Sequence, residues 1–166
     1  ILILFGCGAV ASSVAMGATA GVFQVAIVWG FGLALAIALT AAHSGAHLNP
    51  AMTIALAIWT GFPRSRVPGY IAAQLTGAFL AAAVVYAIYS PAIAATESVL
   101  SIERGAPGSE ATAMIFGEYF PSPGGKPWDD AIRARAGLPQ ALIAEFFGTA
   151  ILALGVFGLT SEANPN

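Results

Sequence analysis

The chain alternates long apolar stretches with shorter polar interruptions, and the lengths of those stretches set the first expectations. Apolar residues run from Ile1 to about 20 with nothing more polar than Ser12, Ser13 and Thr19, and again over about 22–43 with Gln24 near the start and no charge. Two further stretches cover about 67–89 and 139–160. At about 1.5 Å of rise per residue, roughly 20 apolar residues cross a hydrocarbon core of about 30 Å. Each stretch therefore predicts a membrane-spanning helix, and the expected fold class is an all-α membrane protein.

A fifth apolar run has a different character. Ser44-Gly45-Ala46-His47-Leu48-Asn49-Pro50 leads into an apolar segment that Gly61 and Pro63 stop. Asparagine is a favoured N-cap because its side-chain oxygen accepts from free backbone N–H groups of the first turn, and proline is favoured at the first helical position. The pattern predicts a half-helix over 50–60, about 16 Å long and roughly half a hydrocarbon thickness. Lying between two spans and nearly uniformly apolar, it is expected to be re-entrant. Irregular backbone at membrane depth survives only where protein buries it or a water-filled cavity satisfies it, so the segment implies a pore or a binding cavity. Its positive dipole end, equivalent to roughly half an elementary charge, disfavours cations there.

The segment 90–138 is rich in Pro, Gly and charge, including Pro107-Gly108 and Pro121-Ser122-Pro123-Gly124-Gly125, and predicts a long extramembrane loop with a short helix near 129–136. Arg64 and Arg66 make the connection Gly61 to Gly69 dense in positive charge, which favours it as cytoplasmic, although basic residues of the long loop mix that signal. Residues 1–166 read as a single transmembrane domain. Phe5-Gly6-Cys7-Gly8 echoes Gly155-Val156-Phe157-Gly158, as expected of a protein built from two related halves.

Composition sharpens this reading. The 166 residues are 58% hydrophobic and 8% charged, against roughly 25% charged in an ordinary soluble domain. The net charge of −2, with no basic block, gives nucleic acid binding no electrostatic footing. Cys7 is the only cysteine, so neither an intrachain disulfide nor a cysteine-based zinc site is expected. The chain opens at Ile1 inside an apolar run, so the natural N-terminus is expected to lie further upstream.

Ser44-Gly45-Ala46-His47-Leu48-Asn49-Pro50-Ala51-Met52-Thr53 resembles the first signature of the major intrinsic protein family, the aquaporins and glycerol facilitators. Ile27-Val28-Trp29-Gly30-Phe31-Gly32, Gln74-Leu75-Thr76-Gly77-Ala78-Phe79 and Ala144-Glu145-Phe146-Phe147-Gly148-Thr149 resemble the family's second, third and fourth helices. The resemblance implies six spans and two half-helices in the whole protein, of which this chain would carry four and one. It implies a homotetramer, each protomer with its own pore, in the bilayer of a bacterial inner membrane. The second Asn-Pro-Ala and the filter arginine would lie beyond Asn166, and Ala163-Asn164-Pro165-Asn166 reads as an ordinary loop.

By the same resemblance, the Asn49 amide, with Pro50 and Ala51, would meet the solute at the centre of the pore. The carbonyls of Gly45, Ala46 and His47 would line its track as acceptors. Trp29 stands where glycerol-conducting members carry a filter tryptophan, while Leu33, Leu48 and Met52 would form an apolar wall. Glu145 and Gln74 would act as buried supports, Glu145 holding backbone amides of the second re-entrant loop. Read from the residues alone, Trp29 also fits an interfacial aromatic belt, Gly45 and Ala46 a plain tight turn, and the three apolar side chains ordinary packing.

The expected function is passive diffusion of small neutral solutes, glycerol with water, and the alternatives are a water-selective aquaporin and a broken-helix secondary transporter. A transporter would want intramembrane charge for ion coupling, and Glu145 is the one acid the apolar stretches supply. A structural protein associating through Gly17-Ala18-Thr19-Ala20-Gly21 would leave the half-helix unexplained. No enzymatic activity, cofactor or metal is expected. Gly6-Cys7-Gly8-Ala9-Val10-Ala11 lacks the downstream acid of a dinucleotide site, His43 and His47 lack a third ligand, and no nucleophile elbow is present.

Overall fold

A computed structural model describes residues 1–19, 21–119, 130, 137–159 and 161. Those residues form an all-helical structure: α1 (Leu2–Met16), α2 (Val22–Ser44), α3 (Pro50–Trp59), α4 (Val67–Leu100), α5 (Glu110–Ala113) and α6 (Leu138–Leu159), with a 3₁₀ turn at Arg64–Arg66 before α4. Three helices, within Val22–Ser44, Arg64–Leu100 and Leu138–Leu159, are long and apolar enough to cross a membrane. Their outward faces carry Phe23, Phe31, Phe79, Ile88, Phe146 and Leu154 in the open, an arrangement stable in lipid and not in water.

The centre of the assembly is α1, packed against α4 on one side and α2 on the other. Cys7 and Ala11 of α1 meet Val85 and Ile93 of α4 and Ile115 beyond α5 in one buried cluster, and α3 lies against α4. Small residues on α1 allow this, because helix association in a bilayer depends on close van der Waals approach rather than on expelling water. By contrast, α6 buries none of its side chains.

Two boundaries differ from the sequence pattern. The first apolar stretch suggests a helix to about 20, but α1 ends at Met16 because Gly17 takes a left-handed conformation (φ 61°), its N–H bonding the Ser13 carbonyl and the Ala18 N–H that of Ser12, each at 3.1 Å. The loop expected from residue 90 begins only after Leu100, with Pro91 inside α4. Proline removes one N–H from the ladder, but its cost is local, and the helix beyond it is held from outside. The Thr96 hydroxyl donates to the carbonyl of Ala15 at 3.2 Å, and Arg104 grips Glu97. The helix stops at Ser101 (φ 54°), where the Ile102 N–H closes on the Glu97 carbonyl at 2.8 Å.

Glu97 corrects a further expectation, since Glu145 is not the only acid carried within an apolar helix. Glu97 is buried and accepts from the Arg104 Nε at 2.9 and 3.0 Å, from its Nη2 at 2.8 Å and from the Thr112 hydroxyl at 3.1 Å. Arg104 also donates to the Tyr86 hydroxyl at 2.8 Å, and these bonds to Glu97 and Tyr86 raise its pKa above the ordinary arginine value. A buried carboxylate is tolerated only when its lone pairs are taken up in this way. The start of the long loop is thereby clasped to the end of α4. The helix expected near 129–136, the run Pro121–Gly125 and the tail 163–166 lie outside the described residues, apart from Asp130.

Candidate functional site

The functional candidates gather around the bend between α2 and α3. Gly45 (φ 70°) caps α2, its N–H bonding to the Ala41 carbonyl, and Ala46 (φ 47°) and Leu48 (φ 52°) are also left-handed. Glycine reaches this region freely, whereas alanine and leucine carry a Cβ penalty of roughly 1–2 kcal/mol each. Such strain persists only where the surroundings fix it. Within the bend the Asn49 N–H closes on the His47 carbonyl at 2.6 Å, and Asn49 then extends (φ −146°, ψ 131°) to begin α3.

The surroundings that hold the bend centre on Thr53, which is fully buried. Its hydroxyl donates to the Asn49 carbonyl at 3.1 Å and accepts from the Gln74 Nε2 of α4 at 3.0 Å, while the His47 Nδ1 lies 3.2 Å away. With the Thr53 proton committed to Asn49, the His47 Nδ1 must be the protonated nitrogen, so one hydroxyl ties loop, half-helix and α4 together. The His47, Phe62 and Tyr70 rings form a triangle, His47 meeting Phe62 edge-on at 4.5 Å and Tyr70 tilted at 4.8 Å with Phe62 and Tyr70 4.9 Å apart, and the Tyr70 hydroxyl donates to the Ser44 carbonyl at 3.2 Å. A recess of about 600 Å³ opens beneath this knot, lined in part by Ser44, His47, Leu48, Tyr70 and Gln74.

Asn49 is exposed, and its Oδ1 accepts from the Ala51 N–H at 2.7 Å. That bond fixes which end of the amide faces out: the oxygen is used as the cap and the NH₂ remains available as a donor. Pro50 sits at the first helical position and leaves no orphan N–H beside it. At ten residues α3 is about 15 Å long, half of what a crossing needs. Ala51 is exposed and Met52 buried, while Leu48 and Leu33 are half-buried.

Trp29 lies on α2, half-buried, with its indole ring against Gly6 of α1. Gln74 reaches the knot through Thr53, although its Oε1 is buried without a partner among the described residues. Glu145 is exposed on α6 and is not drawn into the knot. The structure thus brings Gly45, Ala46, His47, Leu48, Asn49 and Gln74 together and leaves Glu145 apart.

The sequence pattern of the family described as Major intrinsic protein matches residues 1–166, the whole chain. The chain belongs to the major intrinsic protein family. It is 41% identical to a glycerol uptake facilitator protein of Pseudomonas aeruginosa over 99% of this chain and 54% of that protein. It is 42% identical to aquaglyceroporin-2 of Rhizophagus irregularis (99% and 48%) and 36% to a propanediol uptake facilitator of Salmonella typhimurium (99% and 58%). The chain therefore spans about half the length of these relatives. As a major intrinsic protein, with three helices of spanning length, it is an integral membrane protein.

Three residues of the knot are given no role by the sequence, although Thr53 closes the signature stretch. Thr53 looks like one more helix residue after Asn-Pro-Ala-Met, yet its place four residues after Asn49 puts its hydroxyl against the Asn49 carbonyl. Phe62 and Tyr70 resemble ordinary interfacial aromatics. Their packing against His47 becomes visible only when α4 folds back beside the loop.

Proposed function

We propose that the whole protein is a transmembrane channel for the passive diffusion of small neutral solutes, glycerol together with water. The observation that carries this reading is the Asn49 amide. Its oxygen is consumed by the helix cap, its NH₂ faces outward, and it stands at the positive end of a helix too short to cross. A neutral hydroxylated solute gains a donor there, while a cation meets an unfavourable dipole.

In this reading the carbonyls of Gly45, Ala46 and His47 serve as acceptors along the path, so a solute exchanges its water for backbone oxygens. Trp29 acts as the filter wall on which a carbon backbone slides, and Leu33, Leu48 and Met52 keep one side of the path apolar. Gln74 supports the bend through Thr53, and Glu145 supports the second half of the pore. The facilitator names borne by its bacterial relatives support glycerol as solute and the bacterial plasma membrane as the location, and the family resemblance supports a homotetramer.

The test is glycerol flux into proteoliposomes carrying the full polypeptide that contains this chain. A channel gives non-saturating flux that ignores membrane potential and pH gradient. Flux that saturates and collapses when an ionophore is added would instead establish a coupled transporter.

A further inference from the structure

We propose that Gly6 sets the width of the solute filter by fixing where the Trp29 ring lies. This rests on the reading of Trp29 as the filter wall and adds a residue on a different helix that decides its position. The side chain of Trp29 fills the place a Cβ on Gly6 would take: its Cε2, Cζ2 and Cη2 atoms all fall closer to that Cβ than the 3.0 Å below which something must shift. Gly6 is itself buried, and the absence of a side chain there is what lets the indole lie flat on α1.

A second close contact marks the same crossing. Gly32, three residues beyond Trp29 on α2, receives Phe5, the neighbour of Gly6, and a Cβ on Gly32 would stand 2.6 Å from the Phe5 Cβ. Phe5 also meets Phe31 edge-on, with ring centroids 6.1 Å apart. The two helices are therefore notched into each other reciprocally, tryptophan onto glycine in one direction and phenylalanine onto glycine in the other. A methyl group at Gly6 has one compliant neighbour, the indole, which must swing off α1. Gly8, two residues on, has nothing within 4 Å of its added Cβ, so the tight fit belongs to the Gly6 position rather than to α1 as a whole.

A displaced indole narrows a passage that it walls. Water, a single heavy atom, still passes where a three-carbon polyol does not, so the substitution separates the two permeabilities. One methyl group in a fitted apolar site discriminates by about tenfold or more. Two of the three carbons in conflict, Cζ2 and Cη2, lie at the far edge of the indole beyond the reach of a phenylalanine ring, so shortening Trp29 relieves the clash.

The experiment reconstitutes the full polypeptide in vesicles and measures glycerol and water permeability per inserted protein for wild type, Gly6→Ala, Trp29→Phe and the double variant. The ratio of glycerol to water permeability should fall by about tenfold or more in Gly6→Ala and return in the double variant to that of Trp29→Phe alone. An unchanged ratio in Gly6→Ala, an equal loss of both permeabilities in folded protein, or a double variant without recovery overturns the proposal. Should Gly6→Ala not fold, a double variant that folds and conducts upholds the contact, and one that fails equally refutes it. Wild-type vesicles no more permeable to glycerol than empty ones would sink the channel reading and this inference with it, whereas a conducting wild type beside an unchanged Gly6→Ala sinks the inference alone.

Discussion

Replacing Thr53 by valine removes one oxygen and almost no volume, and so isolates what its hydroxyl contributes. The side chain is fully buried, and the hydroxyl is engaged by the Asn49 carbonyl, the Gln74 Nε2 and the His47 Nδ1 at 3.0–3.2 Å. Hydrogen bonds inside membrane proteins average about 0.6 kcal/mol each, so three are worth about 2 kcal/mol. Valine also strands the Gln74 amide, whose Oε1 already lacks a partner among the described residues, and an orphaned buried group costs about 1–3 kcal/mol. The expected loss is about 3 kcal/mol, of which Thr53→Ser, keeping the hydroxyl and losing a methyl, should show no more than about 1 kcal/mol. Reversible unfolding of the full polypeptide in mixed micelles measures both, with glycerol flux read in parallel. Since the hydroxyl helps hold the left-handed bend, valine should lower flux more than serine does. Equal stabilities for Thr53→Val and Thr53→Ser would refute the assignment of Thr53 as the tie.

The remaining predictions are briefer. Asn49→Asp keeps an oxygen for the Ala51 N–H and should leave stability nearly unchanged, but it lacks the outward NH₂ and should abolish glycerol flux in vesicles. Asn49→Ala loses the cap and should cost about 1 kcal/mol in unfolding experiments. Arg104→Leu deprives Glu97 of its charged partner, leaving only the Thr112 hydroxyl, and should free the start of the long loop, seen as faster hydrogen exchange at residues 102–112 than in wild type. Tyr70→Phe removes the bond to the Ser44 carbonyl but keeps the ring against His47, so it should lower stability by about 1 kcal/mol and leave solute flux in place.

How legible these features were depended on whether their causes were local. α3 could be read from Asn49 and Pro50, because a cap and a first-turn proline act within a few residues, and the structure shows the cap bond itself. Three of the four stretches expected to span form helices of spanning length, because length and apolarity are what the bilayer selects, whereas α1, at 15 residues, is shorter. The end of α4 was not, since Ser90-Pro91 looks like a stop, and what carries the helix onward is Arg104 and Thr112 from further along the chain and Ala15 from α1. The left-handed Ala46 and Leu48 were equally hidden, because neither residue type announces that conformation and the contacts enforcing it come from Thr53 and, across the fold, from Gln74 and Tyr70. The seating of Trp29 on Gly6 is another such case, a match of shapes between two helices that no spacing along one of them records.

The bend between α2 and α3 also has an order of assembly written into it. A ribosome delivers residues 45 to 49 before Tyr70 and Gln74, the side chains that reach back from α4 to pin them. Until α4 has entered the bilayer, nothing from that helix opposes the relaxation of Ala46 and Leu48 into ordinary backbone. The bend therefore gains these two bonds only after residues 70 and 74 have been made. Maturation of the bend would then follow translation of α4 rather than its own.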